Sequence, residues 1–377
     1  MARLGDICTI VSGTTPKSNC PEYWDGNINW ITPAELTDDS DTIFESQRKI
    51  TPQAVATSSL KPFPAGTVLL SSRAPIGKVA IAGVEMYCNQ GFKNLICSDA
   101  VYNRYLFHWL KNNTEYLNSL GRGATFKEIS KSIVENIEIP LPPLEEQRRI
   151  AALLDKVTDL IAKRRAQLDK LDLLVKARFV EMFGDPSANT RWPTAKLSQL
   201  GELNRGVSKH RPRNDPRLLG GAYPLIQTGD VSNSGLYILN YSSTYSEFGL
   251  KQSRLWNAGT LCITIAANIA QTSILTFDAC FPDSVVGFVP SDKTNSVFMH
   301  YWFSFFQKIL EEQAPQVAQK NINLKILSDL DVIVPPYDLQ KHFQEFVNQI
   351  TMVQTAINCS LEKEQTLKKA LMQQYFG

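Results

Sequence analysis

The stretch LPPLEEQRRI at residues 141–150 recurs in altered form as VPPYDLQKHF at residues 334–343. Each copy carries a Pro-Pro-x-x-x-Gln entry into a polar run that contains no further proline or glycine until its last residue. Shifting the chain against itself by 193 positions aligns 141–184 with 334–377 without a gap, and eleven of the 44 aligned positions are identical. Unrelated segments of ordinary composition would share roughly 3. The chain therefore contains a duplicated unit.

The same offset also aligns the segments that begin each half. LGDICTIVSG at 4–13 lies on LSQLGELNRG at 197–206, and AGTVLLSS at 65–72 lies on AGTLCITI at 258–265. Two copies are too few for a solenoid, so the duplication predicts a molecule with two-fold pseudosymmetry. The predicted domains are an N-terminal globular domain at 1–141, a long helix at 142–185, a C-terminal globular domain at 186–334 and a second long helix at 335–377.

Both repeated runs have the composition of long helices. Leu, Ala, Glu, Lys and Arg dominate from Leu144 to Phe183, and apolar residues recur at spacings of three, four or seven. This narrow apolar seam is typical of a coiled coil rather than of a helix that lies on a core. The predicted seam consists of Ile150, Leu153, Val157, Ile161, Leu168, Leu171, Phe346, Ile350, Ile357 and Leu361.

Each helix has one stripe to bury, and the other copy is the predicted partner in an antiparallel pair. Arg164 and Glu364 interrupt the seam and are candidates for setting its register, although both side chains could equally reach solvent. The globular halves show short apolar runs between Gly, Pro and Asn turns, followed by a helical stretch. The predicted fold class is α+β, with two pseudo-symmetric α/β-type domains joined by two long helices that form an antiparallel coiled coil.

Composition and motifs exclude several classes of function. There is no apolar run that fits a signal peptide or a membrane span, and the seven cysteines include no Cys-x-x-Cys pair, so a cytoplasmic protein with reduced thiols is expected. The four histidines have no metal-ligand spacing. VPPY at 334–337 resembles an amino-methyltransferase motif, but Val334 has no side-chain acceptor for the target amine. No catalytic and no metal-binding residue is predicted.

Basic residues concentrate in NRGVSKHRPRNDPR at 204–217, which holds five arginines and lysines against the single acid Asp215. Such a loop suits nucleic-acid contact, because arginine reaches guanine edges and lysine reaches phosphates; a solvated loop is the alternative. In the first half, Gln90 is a possible adenine contact and Lys93 a possible phosphate contact. The candidate DNA-binding residues are Lys17, Ser71, Arg73, Lys78, Gln90, Lys93, Arg205, Lys209, His210, Arg211, Arg213 and Gln271.

In this order, LGDICTIVSG, WITPAEL, SSRAPIGKVAI, NQGFKNL and LPPLEEQRRIAALLDKV resemble the specificity subunit of type I restriction-modification systems. The resemblance covers the whole chain. It implies two target recognition domains, each reading one half of a bipartite site in double-stranded DNA, with the helices acting as a spacer. It further implies a subunit that binds no cofactor and has no catalytic centre. Its expected partners are two modification subunits, which use S-adenosylmethionine to methylate adenine N6, and through them restriction subunits that use ATP and Mg.

The two halves differ where the resemblance is strongest. ITIAANIAQTSIL at 263–275 stands where the first half has SSRAPIGKVAI, so Arg73 aligns with Ala266 and an asymmetric target is expected. Two other classes of function remain open. A non-enzymatic coiled-coil scaffold with two protein-binding heads would bind DNA weakly and independently of salt. A methyltransferase in its own right would need a cofactor site that the sequence does not contain.

Overall fold

The computed structural model describes the chain except for residues 74, 124–126, 189–190, 267–268 and 306–321. The chain divides into two compact units. Unit 1 comprises residues 1–165 and 359–377, and unit 2 comprises residues 166–358. Each unit therefore combines one globular half with a segment from each long helix.

The first globular half alternates short strands with short helices. Its elements in chain order are β1 Ala2–Arg3, α1 Leu4–Ile7, β2 Cys8–Ser12, β3 Trp24–Ile31, β4 Thr42–Ile43, β5 Lys49–Ile50, α2 Pro52–Thr57, β6 Val68–Leu70, β7 Val79–Ala82, β8 Tyr87–Cys88, β9 Lys93–Cys97, α3 Asn103–Asn112, α4 Thr114–Ser119, α5 Lys131–Glu135 and β10 Glu138–Ile139. The first long helix, α6, follows at Leu144–Phe183.

The core of unit 1 is a five-stranded sheet in the order β2-β9-β6-β7-β4. Only β4 and β7 pair in parallel; the other neighbours are antiparallel. Every residue of β6 and β7 is buried, which explains why VLL and VAIA are continuous apolar runs rather than alternating ones. A smaller sheet, β5-β3-β8, and the antiparallel pair β1-β10 complete the unit.

The second globular half has the same plan. Its elements are β11 Thr194–Lys196, β12 Gly201–Arg205, β13 Leu219–Leu225, α7 Thr228–Asn233, β14 Tyr237–Ile238, β15 Ser243–Tyr245, α8 Glu247–Lys251, β16 Leu255–Trp256, β17 Leu261–Thr264, β18 Thr272–Leu275, β19 Ala279–Cys280, β20 Val285–Pro290, α9 Ser296–Phe303, α10 Leu324–Ser328 and β21 Asp331–Ile333. The second long helix, α11, spans Tyr337–Phe376.

The large sheet of unit 2 repeats that of unit 1 strand by strand. The order β12-β20-β17-β18-β14 matches the five-stranded sheet of unit 1, and its one parallel pair, β14 with β18, corresponds to β4 with β7. A four-stranded sheet, β15-β13-β19-β16, and the pair β11-β21 correspond to the smaller sheets. The duplicated α+β fold predicted from the sequence is confirmed.

One glycine is repeated at the same position of each half, and the reason is steric. Gly13 and Gly206 follow the first strand of each large sheet. A Cβ atom on Gly13 would lie 2.0 Å from the carbonyl oxygen of Cys88, and one on Gly206 would lie 2.3 Å from that of Phe281. Two backbone segments approach too closely there for any side chain, so only glycine fits.

The long helices pack together in antiparallel orientation in each unit. In unit 1, Arg149 donates a hydrogen bond to the Tyr375 hydroxyl at 3.3 Å, and Arg164 Nε lies 3.4 Å from Glu364 Oε1. From the first contact to the second, the residue number increases in α6 and decreases in α11, so the two helices run in opposite directions. Arg164 and Glu364, the two polar residues that interrupt the seam, therefore contact each other.

The pairing in unit 2 runs the same way. Gln354 Nε2 donates to Asp172 Oδ1 at 2.7 Å, and the Arg178 guanidinium lies 5.9 Å from the ring centre of Phe346. From the first contact to the second, the residue number again increases in α6 and decreases in α11. The antiparallel helix pair expected from the sequence is thus observed in both units.

The sequence-based expectation that the helices bury only a narrow seam is wrong over part of their length. Ile150, Val157 and Ile161 are at most 8 % exposed and belong to the hydrophobic core of unit 1, together with Ala151 and Leu154. Adjacent apolar residues broaden the stripe, and the helix lies on the sheet domain there as well as on its partner helix. The remaining predicted seam residues are half-buried: Leu153, Leu168, Leu171, Phe346, Ile350, Ile357 and Leu361.

The repeated glutamine of the Pro-Pro-x-x-x-Gln entry has a structural role in unit 1. The Gln147 side chain is completely buried. Its Oε1 accepts a hydrogen bond from the Tyr102 backbone N–H at 2.8 Å, and its Nε2 donates to the carbonyls of Ala100 at 3.0 Å and Pro142 at 2.9 Å. The carboxamide therefore ties the start of α6 to the loop that leads into α3.

Unit 2 repeats this connection with Gln340. Its Oε1 accepts from the Thr294 hydroxyl at 3.0 Å, and its Nε2 donates to the carbonyls of Lys293 at 3.0 Å and Pro335 at 2.9 Å. Glutamine is needed at both places because one side chain must supply both an acceptor and two N–H donors. The repeated motif thus orients each long helix on its globular half.

Candidate nucleic-acid interface

The basic loop of unit 2, residues 204–217, begins with the last two residues of β12 and is mostly exposed. Two of its arginines converge on Asp283: Arg213 forms an ion pair at 2.6 Å, and Arg205 Nε donates to the Asp283 carbonyl at 3.0 Å. Lys209 is exposed, and no ion pair of Lys209 occurs among the described residues. Arg205, Lys209 and Arg213 are thus exposed at the surface, and the charge of Arg213 is partly neutralised by Asp283.

The same loop folds around a single carboxylate. Arg217 and His210 both bond to Asp215, at 2.7 Å and 2.8 Å, and these contacts, led by Arg217, hold the pKa of Asp215 well below its usual range. Arg211 Nη1 donates to the carbonyls of Ser208 and His210, at 2.7 Å and 2.8 Å. Arg211 is exposed and forms no ion pair within the described part of the chain, so its charge remains available to a partner.

The loop between β2 and β3 is the counterpart of the basic loop in unit 1. It is anchored to two tryptophans: Trp24 Nε1 donates to the Lys17 carbonyl at 3.3 Å, and Trp30 Nε1 donates to another carbonyl of the loop at 3.1 Å. The Thr15 hydroxyl bonds to Gln90 Oε1. These contacts bring two predicted residues, Lys17 and Gln90, to one exposed surface.

The turn that carries Ser71 is held by internal hydrogen bonds. The Ser71 side chain is completely buried; its hydroxyl donates to the Pro75 carbonyl at 2.7 Å and accepts from the Lys78 N–H at 2.8 Å. The Lys78 ammonium donates to the carbonyl of Leu36. Arg73 is half-buried in the same turn. Ser71 therefore shapes the turn and has no surface for DNA, which corrects the sequence-based assignment.

Lys93 requires the same correction. It is 6 % exposed and forms an ion pair with Glu128 at 3.2 Å, while its ammonium also donates to the Ser72 hydroxyl at 3.3 Å. A lysine that is buried and paired cannot reach a phosphate without breaking this contact. Neither Ser71 nor Lys93 therefore belongs to the candidate interface.

Gln271 lies at a different place in unit 2. It lines a cleft of about 710 Å³ together with Asp172, Lys176 and His300. His300 Nδ1 lies 3.0 Å from the Thr272 hydroxyl, and burial lowers the pKa of His300 to about 4. No residue of the basic loop lines this cleft. The structure therefore does not unite Gln271 with the other candidates of unit 2.

A polar cluster in unit 1 attaches α3 to α6, and the sequence pattern did not indicate it. His108 Nε2 lies 2.6 Å from Asp155 Oδ1, and Arg104 bridges Asp155 and Asp41. Burial lowers the pKa of His108, against the opposing effect of Asp155. Burial also opposes ionisation of Asp155, but hydrogen bonds from His108 and Arg104 keep its pKa below the usual value. His108 is 2 % exposed, so this cluster is structural.

The long helices expose apolar residues at duplicated positions. Leu160 of α6 and Leu367 of α11 are 38 % and 49 % exposed in unit 1. The 193-residue offset places them on Val353 and Leu174 of unit 2, which are 48 % and 47 % exposed. Within each unit the two residues lie at nearly the same level of the antiparallel pair, within about one turn of the Arg164–Glu364 contact in unit 1. We call them the duplicated apolar pairs.

Other kinds of site are not found in the part of the chain that the structure describes. It contains no group of three or more His, Cys, Asp or Glu side chains placed to hold a metal ion. None of its helices is both long enough and apolar enough to cross a membrane. All seven cysteines are free thiols.

These features define a class of protein: a tandem pair of α+β units, each closed by two antiparallel helix segments and each carrying exposed cations. A family model for the type I restriction modification DNA specificity domain matches residues 1–171 and 189–368. The MjaIX specificity subunit of Methanocaldococcus jannaschii is 41 % identical over 376 residues, which cover 92 % of this chain and 85 % of that protein. The EcoR124I/EcoR124II specificity subunit of Escherichia coli is 30 % identical over 164 residues, 42 % of this chain and 40 % of that one.

Solved structures share the fold. The S subunit of a type I restriction-modification system from M. genitalium superposes with a TM-score of 0.58 at 15 % identity, covering 100 % of this chain and 95 % of that one. A chain from a structure of a type I R-M complex gives a TM-score of 0.60 at 20 % identity, covering 100 % and 96 %. The chain belongs to the type I restriction-modification specificity family. It is a specificity subunit, a component without a catalytic centre of its own, as the sequence resemblance predicted.

Proposed function

We propose that this chain selects the DNA target of a type I restriction-modification enzyme. Each globular half reads one half of an asymmetric bipartite sequence. The two helices space the halves and hold two modification subunits, which methylate adenine N6. The observation that carries the proposal is a duplicated scaffold whose exposed cations differ between the two copies: the five-stranded sheet repeats strand by strand, while the surface side chains do not.

The difference between the two surfaces supports an asymmetric target. The loop after the first strand of the large sheet carries Arg211 and Arg213 in unit 2, whereas its counterpart in unit 1 offers Lys17. Arginine forms bidentate contacts to guanine, and lysine contacts phosphates as a point charge. Two globular halves that expose different hydrogen-bond donors select different bases, so one chain specifies two different half-sites.

The duplicated apolar pairs support the binding of two identical partners. Exposed large aliphatic side chains at matching positions on both units are unfavourable in water and suit a protein interface that is used twice. In unit 1 the pair is Leu160 with Leu367, and in unit 2 it is Leu174 with Val353. Two identical modification subunits could therefore use the same surface for both units.

The experiment that tests recognition is a map of DNA methylation. This chain is expressed with the modification subunit encoded beside it, in a host that lacks other adenine methylation. We expect a bipartite, asymmetric motif with N6-methyladenine in both halves. A stable complex that methylates no specific sequence would contradict the proposal. A triple variant with Arg73→Ala, Arg211→Ala and Arg213→Ala should lose discrimination of about 1–3 kcal/mol for each arginine that reads a base.

The docking sites are tested by the stoichiometry of the complex. Replacing Leu160 and Leu367 by glutamate should remove one modification subunit, and the same change at Leu174 and Val353 should remove the other, as measured by mass photometry. The control is Met352→Glu, because Met352 is 75 % exposed and its counterpart in unit 1 is already an acid. Two bound modification subunits on the fourfold variant would refute these sites.

A further inference from the structure

Arg48 is an exposed arginine in unit 1 that no motif indicated. Its guanidinium lies over the ring of Trp24, 3.8 Å from the ring centre, and 5.4 Å from that of Trp30. The two rings meet edge to face at 5.1 Å. Trp30 is 2 % exposed, so the pair forms a fixed platform. This cation–π contact restrains the guanidinium, while the Arg48 side chain as a whole is exposed to solvent.

Among the residues that the structure describes, no carboxylate pairs with the Arg48 guanidinium. The carboxylate of Glu45 forms an ion pair with Lys49 at 3.7 Å, and no ion pair of Arg48 occurs among the described residues. Glu22 and Asp25 are exposed acids near Trp24 in the sequence, and neither pairs with Arg48. A restrained cation without an ion pair in the described part of the chain can donate to an external acceptor.

The surroundings of Arg48 point to DNA as that acceptor. Trp24 donates to the Lys17 carbonyl at 3.3 Å, and the same loop bonds to Gln90 through Thr15. The platform therefore holds Arg48 beside the loop that presents the two surviving candidates of this surface. The Lys17 ammonium, the Arg48 guanidinium and the Gln90 carboxamide are the types of donor that contact phosphates and base edges.

Unit 2 contains a similar stack whose charge is neutralised. Arg254 lies 3.9 Å from the ring centre of Trp256 and forms an ion pair with Glu202 at 3.1 Å. Its guanidinium therefore has an internal acceptor, unlike that of Arg48. Arg254 therefore has the same kind of ring contact as Arg48 but a neutralised charge, and it serves as a control within the same chain.

We propose that Arg48 is a specificity-determining residue of the N-terminal half, which donates two hydrogen bonds to O6 and N7 of a guanine in its half-site. The inference rests on the proposed function of the chain and adds the residue and the base. Trp24 acts as a positioning residue, because it holds the fork without contacting DNA. Lysine at position 48 would keep the charge but could not form the two parallel bonds.

The test uses the complex of the full chain with its modification subunit, once the wild-type motif is known. Methylation rates are measured on duplexes that carry the motif and on duplexes with each guanine of each half-site replaced. The preference for a guanine is the ratio of the methylation rates on the motif and on the duplex that lacks this guanine. At one guanine of one half-site, Arg48→Ala should lower this ratio roughly 5- to 150-fold relative to the wild type. The other half-site should be read unchanged. Arg254→Ala and Lys61→Ala, which remove an internally paired and an unstacked cation, should retain the full preference.

Arg48→Lys separates base reading from phosphate contact. Relative to Arg48→Ala, we expect Arg48→Lys to regain the affinity for DNA and the salt dependence of that affinity. The preference for the guanine should not return. Full recovery of the preference by lysine, or an unchanged preference in Arg48→Ala, would overturn the proposal even though the motif itself stands. A wild-type complex without any specific motif would instead refute the proposed function. Thermal unfolding of each variant shows whether the fold is intact; a variant of native stability that keeps the wild-type preference refutes the role of Arg48.

Discussion

Replacing Gln147 by leucine tests the connection between the first globular half and α6. The substitution conserves volume but removes three hydrogen bonds, to Tyr102, Ala100 and Pro142, at 2.8–3.0 Å. At about 0.5–1.5 kcal/mol each, and with a small gain from burying an apolar side chain, the loss in the free energy of unfolding should be about 2–4 kcal/mol. For a unit of this size, that corresponds to a decrease in Tm of roughly 4–16 °C.

Hydrogen exchange read by mass spectrometry locates the effect. Gln147→Leu should accelerate exchange in the peptides of unit 1 and leave those of unit 2 unchanged, and Gln340→Leu should do the reverse. Gln374→Leu is the control, because Gln374 is exposed on α11. If Gln147→Leu destabilised the chain by less than 0.5 kcal/mol, or no more than Gln374→Leu does, the buried carboxamide would not be what orients the helix.

Three further predictions concern stability and chemistry. Because the folded-state pKa of His300, about 4, lies below the usual 6.5, the protein loses stability as pH falls below 6.5; His300→Phe should remove about 1–2 kcal/mol of that loss between pH 7.5 and 5.0 in urea unfolding. Cys8 and Cys97 face each other on antiparallel β2 and β9, so diamide should slowly join their Sγ atoms with loss of two hydrogens; peptide mass spectrometry that found both thiols free would contradict this. A double-mutant cycle on Arg164 and Glu364 should give a coupling of about 0.5–1 kcal/mol, and additive effects would exclude a role in register.

The sequence alone predicted the repeat, the α+β class, the antiparallel helix pair and the family. These features are encoded in local patterns that tolerate substitution. A Pro-Pro-x-x-x-Gln entry, an apolar seam and glycines at Gly13 and Gly206 each impose a local constraint that is visible twice in one chain.

The surface that contacts a partner depends on tertiary neighbours. Lys93 and Arg48 are both ordinary cations in the sequence, yet one is buried against Glu128, 35 residues away, and the other is stacked on Trp24 and exposed. The free energy of a charge depends on its solvation and on its closest opposite charge, and both are set by residues distant in the chain. Periodicity and propensity therefore determined the scaffold, whereas only the folded structure decided which cations remain free to select a DNA sequence.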